Sequence, residues 1–330
     1  MKRILQVLAV VGLLFTTPSG IYASAMDRDD VKTFVKEMSS SHGFSEAELH
    51  AIFENVEFSE SVIRAISRPA EALPWYRYRP IFIQSARIES GVRFWQQNRE
   101  VLSLAESEFG VPAEIIVAII GVETRYGDVT GSYKVINSLS TLAFDYPTRS
   151  TFFRSELEQF LLLTREQGFD PLTLEGSYAG AMGIPQFISS SFRNYAVDFN
   201  KDGVIDIWNN IDDAVGSVGN YLMRHGWERK EKIAMPAVVK GDKYKTFINT
   251  ELKPQNNILE LAGHDVSVQP GLRADVPVKL MEFENSDANE YWLGFQNFYV
   301  ITRYNHSMLY AMAVYQLAEE IKTSYLLTRD

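Results

Sequence analysis

Apolar side chains fill every face of the stretch VPAEIIVAIIGVETRYG, Val111 to Gly127, where Ile115, Ile116, Val117, Ile119, Ile120 and Val122 leave no polar stripe. A helix of that kind sits at the centre of a domain, and Gly127 is its expected terminator. The flanking pattern differs. From Asp27 to about Ala70 the chain is amphipathic and helix-forming, with Ser45 at a cap position and Glu46 and Glu48 in the following turn. LPWYRYRPIF breaks that period. Trp75, Tyr76 and Tyr78, set between Pro74 and Pro80, predict an extended aromatic segment that either packs on the core or lines a ligand site. GVRFWQQNREVLSLAESEFG predicts one helix ending at Gly110, and Pro112 falls where a first helical turn tolerates proline. Two further amphipathic helices flank a turn at Tyr146 and Pro147.

Beyond them, LEGSYAGAMGIPQF places Gly176, Ser177, Ala179, Gly180, Ala181 and Gly183 among Tyr178, Met182, Ile184 and Phe187. That mixture is wrong for a solvated linker and predicts a packed, substrate-binding turn, with a helix able to start after Pro185. Alternating AMPAVVKG, VSVQPG and VPVKLMEF predict short strands between Pro and Gly turns. Leu309, Met312, Ala313 and Leu317 then return to helical spacing and pack back on the core. The expected fold class is mainly α (α+β), with a helical core over residues 26–231 and 300–330 and a small mixed α/β subdomain over 232–299.

Composition narrows this picture. The 330 residues are 46% hydrophobic, enough for a sizeable core. A formal net charge of −10 argues against a nucleic-acid binder. Residues 1–25 read as a cleavable signal peptide: Lys2 and Arg3, an apolar run from Ile4 to about Thr17, then Ala23, Ser24 and Ala25. A retained anchor is the alternative, but the run is shorter than the ~20 residues of a bilayer span. The chain has no cysteine, which excludes disulfides, thiol catalysis and a lipid attached to Cys. A soluble bacterial periplasmic or secreted protein without a membrane anchor is expected.

Candidate chemistry centres on Glu123. A carboxyl at the end of an apolar helix loses hydration, which raises its pKa towards that of a general acid; the alternative is an ion pair with Arg125 or another base. Asp128 and Asp145 are the nearby candidates for a second carboxylate, and are taken as structural. His306 is expected to be a hydrogen-bonded structural residue, and no Cys/His cluster suggests zinc. DFNKDGVIDIWN has the spacing of an EF-hand loop: Asp198, Asn200 and Asp202 as ligands, Gly203 at the turn, the Val204 carbonyl, Asp206 and, at the twelfth position, Asn209 in place of the usual Glu. The last ligand is then weaker, or is replaced by Asp212 or Asp213. A metal-free turn is the alternative.

GVETRYG, GSYAGAMGIPQF, NYAVDFNKDGVIDIW and FYVITRYNHSMLYAMAVYQL, in this order, resemble the membrane-bound lytic murein transglycosylase B family over about Tyr78 to Leu317. The resemblance implies a lysozyme-like catalytic core. It implies cleavage of the β-1,4 bond between N-acetylmuramic acid and N-acetylglucosamine in peptidoglycan, leaving a 1,6-anhydromuramoyl end without consuming water. Glu123 matches the single acid/base of that family, Ser177 a serine near the muramoyl group, and Gln186 a glutamine of the same cleft. Tyr78, Tyr221, Tyr304, Asn305 and Tyr310 fall at or near its sugar-binding positions. The family pattern has two arginines after the YP turn and a tyrosine beyond; Thr148, Arg149 and Phe152 stand here, leaving Arg149 as the cationic contact. The founding member is a lipoprotein, so this Cys-free chain resembles a soluble counterpart. No cofactor for the chemistry is implied, but a structural Ca²⁺ is. The implied partners are peptidoglycan glycan strands and proteins of wall synthesis or remodelling. A hydrolytic muramidase and a non-catalytic murein-binding scaffold are the competing readings.

Overall fold

The structure, a computed structural model, describes residues 24–67, 73–267 and 272–328. The expected signal peptide lies outside the described residues up to residue 23. Two compact units divide between Asn55 and Val56. In the first, α1 (Asp29–His42) buries Val31, Phe34, Val35 and Met38, one helical stripe. Gly43, at φ 67°, ends it. Phe34 meets Phe53 of α2 (Glu46–Phe53) edge-on at 5.9 Å. Ser45 stands at the N-cap of α2 without making a side-chain cap bond.

The second unit begins with α3 (Glu60–Ile66) and α4 (Trp75–Phe82). The aromatic segment expected to be extended is therefore helical. Pro80 removes one amide donor, but it and Tyr76, whose carbonyl loses that partner, are both exposed on one face, where solvent can take the donor's place. The single helix expected up to Gly110 is two, α5 (Ser85–Gln97) and α6 (Arg99–Phe109). They break at Asn98, whose side-chain amide donates to the Phe94 carbonyl at 2.8 Å. Helix α7 (Ala113–Thr124) is buried without interruption from Ala113 to Gly121. It stops at Thr124, three residues before the expected Gly127, because Arg125, Tyr126 and Gly127 all take left-handed backbone, at φ 53°, 66° and 97°.

Strand β1 (Tyr133–Lys134) leads into α8 (Val135–Asp145) and, after the Pro147 turn, α9 (Ser150–Gln167), which packs on α8. Strand β2 (Glu175–Gly176) pairs antiparallel with β1. The helix expected after Pro185 starts later, as α10 (Ser189–Tyr195), because Gln186 is left-handed at φ 52° and reciprocal Met182 and Phe187 bonds close a tight turn. Helix α11 (Ile211–Arg224) is capped by the Asn210 side chain, which accepts from Asp212 and Asp213 amides.

Strand β3 (Ala234–Val239), β4 (Asn256–Asn257), helix α12 (Ile258–Ala262), β5 (Val266–Ser267), β6 (Pro277–Phe283) and β7 (Glu290–Gly294) build an antiparallel sheet ordered β4-β6-β7-β3-β5. Leu280 and Met235 both pair with Leu293, and Leu280, Leu293, Val278 and Leu261 form its buried core. Helix α13 (Gln296–Tyr304) follows directly. Helix α14 (Met308–Leu327) then packs against α7, α5 and α4. Among the described residues no helix is long and apolar enough to cross a membrane.

Candidate active site

Glu123 lies in the last turn of α7, where the apolar rod opens to partial exposure. Burial of the carboxyl pushes its pKa from 4.5 up to about 7. Tyr310, from the first turn of α14, donates its hydroxyl to Glu123 Oε1 at 2.6 Å and pulls weakly the other way. Tyr310 and Tyr304 are both held well above 10 by burial and by the neighbouring Glu123, so both phenols stay protonated donors. Tyr78 of α4 also acts on Tyr310, which places four of the anticipated side chains in one cluster. The alternative ion pair with Arg125 does not form. Left-handed backbone turns Arg125 out of the helix, to a separate small cavity shared with Arg87 and Asp128. Asp128 and Asp145 are exposed, and neither is among the groups that shift Glu123.

Thr124, which sequence reasoning passed over, fixes this helix end. Its buried hydroxyl lies 3.0 Å from the Ile184 carbonyl, as donor, and accepts from the Gly127 amide at 3.1 Å. One side chain thereby ties the end of α7 to the 182–187 turn. Tyr126 adds a second tie, donating to the Arg87 carbonyl at 2.8 Å. The only sequence signal for either is adjacency to Glu123.

The small-residue segment is packed as expected. A Cβ on Gly176 would meet the Ala181 carbonyl at 2.2 Å, so the backbone there closes on itself. Ser177 Oγ accepts from the Ala181 amide at 3.0 Å and the Ala179 amide at 3.3 Å, leaving its own O–H unused by the turn. Gln186 donates to the Thr130 and Gly183 carbonyls, at 3.0 and 2.9 Å, so its Oε1 is the atom left for a ligand.

Arg149, Gln186, Tyr221, Tyr304 and Asn305 line one cavity of about 540 Å³. Phe187 and Arg303, not anticipated, line it too. The Arg149 guanidinium sits over the Phe152 ring at 4.4 Å. Tyr221 donates to the Arg303 carbonyl at 2.6 Å and stacks on His225 at 4.0 Å. Tyr304 donates to the Pro185 carbonyl at 2.6 Å, and it alone both lines this cavity and belongs to the Glu123 cluster. Glu123, Tyr310, Tyr78 and Ser177 are not part of the cavity wall. His306, expected to be a hydrogen-bonded structural residue, follows extended backbone at Asn305 and is exposed on that wall.

In the loop 198–209 the side chains turn to the loop's own amides. Asp198 accepts from Asp202 and Gly203, Asn200 from Asp202, Asp202 from Val204, and Asp206 from Trp208 and Asn209. Among the described residues no three His, Cys, Asp or Glu side chains form a metal-holding group. The donor chemistry nonetheless suits Ca²⁺, a hard cation that takes carboxylate, amide and carbonyl oxygens. The two candidate substitutes for the twelfth ligand differ in placement. Asp213 is buried and ties the loop's two ends, accepting from Phe199 at 2.7 Å and Asp206 at 2.8 Å, while Asp212 lies beside Asn98 at the α5–α6 junction.

Residues 26–319 match the Transglycosylase SLT domain family. The membrane-bound lytic murein transglycosylase B of Escherichia coli (strain K12) is 39% identical over 302 residues, which are 88% of this chain and 82% of that protein. The solved structure of catenated lytic transglycosylase SltB1 from Pseudomonas aeruginosa is 51% identical, with a TM-score of 0.87 over 90% of this chain and 98% of that one. Escherichia coli lytic transglycosylase Slt35, solved in complex with calcium, is 39% identical, with a TM-score of 0.84 over 91% and 95%. With its helical core, small antiparallel sheet and matched length, the chain belongs to the lysozyme-like family of lytic murein transglycosylases, enzymes that cleave peptidoglycan.

Proposed function

We propose that Glu123 is the single general acid and base of a non-hydrolytic cleavage of the MurNAc–GlcNAc bond in periplasmic peptidoglycan. One observation carries this reading: a carboxyl raised to about 7 by burial, bonded to a phenol, with no second carboxylate acting on it. A retaining glycosidase needs a partner carboxylate ~5 Å away, and an inverting one needs it farther off with room for water. Glu123 has neither. Tyr310 occupies Oε1, so Oε2 carries the transferable proton. That proton goes to the glycosidic oxygen as the bond to the muramoyl C1 breaks, and the substrate's own acetamido oxygen supports the anomeric carbon. The carboxylate then takes the proton of the C6 hydroxyl, whose oxygen closes on C1. The acid is regenerated and no water is consumed.

Ser177, with a free O–H, orients the acetamido group. Tyr78, Arg149, Gln186, Tyr221, Tyr304 and Asn305 hold the saccharide along the cleft. A structural Ca²⁺ would be held by Asp198, Asn200, Asp202, the Val204 carbonyl, Asp206 and Asn209, bracing the loop without entering the reaction. The protein works in the periplasm after export on its signal peptide. Its partners are glycan strands and proteins of wall remodelling.

Mass spectrometry of muropeptides released by the mature protein and by Glu123→Gln tests the mechanism. Anhydromuramoyl ends from the wild type alone are expected. Hydrated reducing ends would make the protein a muramidase, and no release by either would leave a binding scaffold.

A further inference from the structure

A pocket of about 530 Å³ opens between α4, the β6–β7 hairpin and α14, and the proposed chemistry uses none of its lining. Its volume is that of a small-ligand site, in the range ~300–1,000 Å³. Trp292 and Tyr315, both half-buried, stand at right angles with ring centroids 6.1 Å apart, so each offers part of a ring to the cavity. Around them are planar polar groups. Arg79 Nε donates to Gln316 Oε1 at 2.7 Å, which fixes both, and Glu290, Glu319 and Glu320 supply carboxylate acceptors. Trp75 is the sharpest feature: only 1% exposed, it lines the pocket and carries an indole Nε1–H with no acceptor. A buried donor left unpaired is costly, and native structures rarely retain one without a reason.

These groups define a ligand. An aromatic face takes the apolar face of a pyranose ring, and planar carboxylate and amide groups take its hydroxyl and amide hydrogens. Three carboxylates against one guanidinium disfavour an anion. The pocket also adjoins the proposed cleft. Trp75 stacks on Tyr78 at 6.3 Å, and Tyr78 acts on the Tyr310 that is bonded to Glu123. We infer that this pocket is a second saccharide site, holding an N-acetylhexosamine of the glycan strand outside the bond-cleaving cleft. The choice of ligand rests on the proposed function; the existence of a neutral, hydroxylated ligand rests on the pocket.

The test uses the full mature chain as Glu123→Gln, labelled with ¹⁵N at tryptophan and titrated with triacetylchitotriose while the indole N–H signals are followed by NMR. The five tryptophans are Trp75, Trp95, Trp208, Trp227 and Trp292, each assigned by its Trp→Phe variant. Saturable movement of the Trp292 and Trp75 signals is expected. Trp227, whose Nε1 already donates to the Gly110 carbonyl at 3.1 Å, should stay fixed. Trp292 decides, because Trp75 also feels the cleft through Tyr78. Glu319→Ala, at an exposed helical position, should weaken the affinity read at Trp292 about fivefold, as for one lost hydrogen bond. A stationary Trp292 signal at millimolar saccharide overturns the inference, and so does movement only with a lysine-bearing peptide. Muropeptide release by the wild type is scored separately. Cleavage with a stationary Trp292 sinks this site alone; a moving Trp292 without cleavage sinks the catalytic reading alone.

Discussion

Replacing Glu123 by Gln should stabilise the protein, and only above a particular pH. Glu123 is raised from 4.5 to about 7 by burial, so the native state prefers it protonated. Below pH 4.5 the carboxyl is neutral in both the folded and unfolded chain, and it costs nothing. As pH rises, the unfolded chain ionises first and the native state loses about 1.4 kcal/mol per pH unit until the folded pKa is reached. A shift of this size amounts to about 3 kcal/mol of lost stability at pH 8. Gln keeps an acceptor for the Tyr310 hydroxyl and cannot ionise, so Glu123→Gln escapes the loss. For a unit of this size, where 1 kcal/mol moves Tm by about 2–4 °C, the variant should melt about 6–12 °C above the wild type at pH 8. At pH 4 the two should nearly coincide. Thermal melts of both proteins across pH 4 to 8.5 measure the difference directly, and titrations common to both cancel. A difference that does not change with pH would refute the buried, raised carboxyl and with it the proton-transfer argument.

Tyr310→Phe removes the one hydrogen bond that lowers the Glu123 pKa. Because the acid form starts the reaction, the alkaline limb of the pH–rate profile should move upward, with kcat down about tenfold; an unmoved limb would count against the contact. Thr124→Val strips the buried hydroxyl between Ile184 and Gly127, costing about 1–3 kcal/mol in a denaturant melt, and Thr124→Ser should restore most of it. Calcium should raise Tm and a chelator should reverse the gain, since an ion bound only by the folded loop stabilises it by mass action. That response should vanish in Asp202→Ala; a response that survives places the ion elsewhere.

What the sequence disclosed was local. The buried rod of α7 was legible because six aliphatics close every face, and the 198–209 loop because its oxygens recur at fixed spacing. The helix at Trp75 is hidden by Pro80, which marks a break in the sequence pattern but orphans a carbonyl of an exposed residue that water can bond. Asn98 splits a helix that periodicity alone joins, since its side chain caps where no Gly or Pro announces a stop. Left-handed Gln186, where no glycine stands, is set by its turn and carries no compositional mark. The contact between Glu123 and Tyr310 was the least accessible: resemblance placed Tyr310 near the sugar, and only packing of α14 on α7 brought it to the carboxyl. Likewise nothing in the pattern of apolar residues marks the boundary at Asn55, which depends on where contacts thin out.

That same contact spans 187 residues, so the acid and its phenol are made far apart in time. A chain grows from its N-terminus, and α7 is complete long before α14 exists. Until α14 docks, α7 lacks a helix that helps bury it, and Glu123 lacks the phenol that donates to it. A nascent or prematurely ended chain therefore carries the proposed acid without its Tyr310 contact. The ability to open the cell wall matures last, as a property of the finished fold.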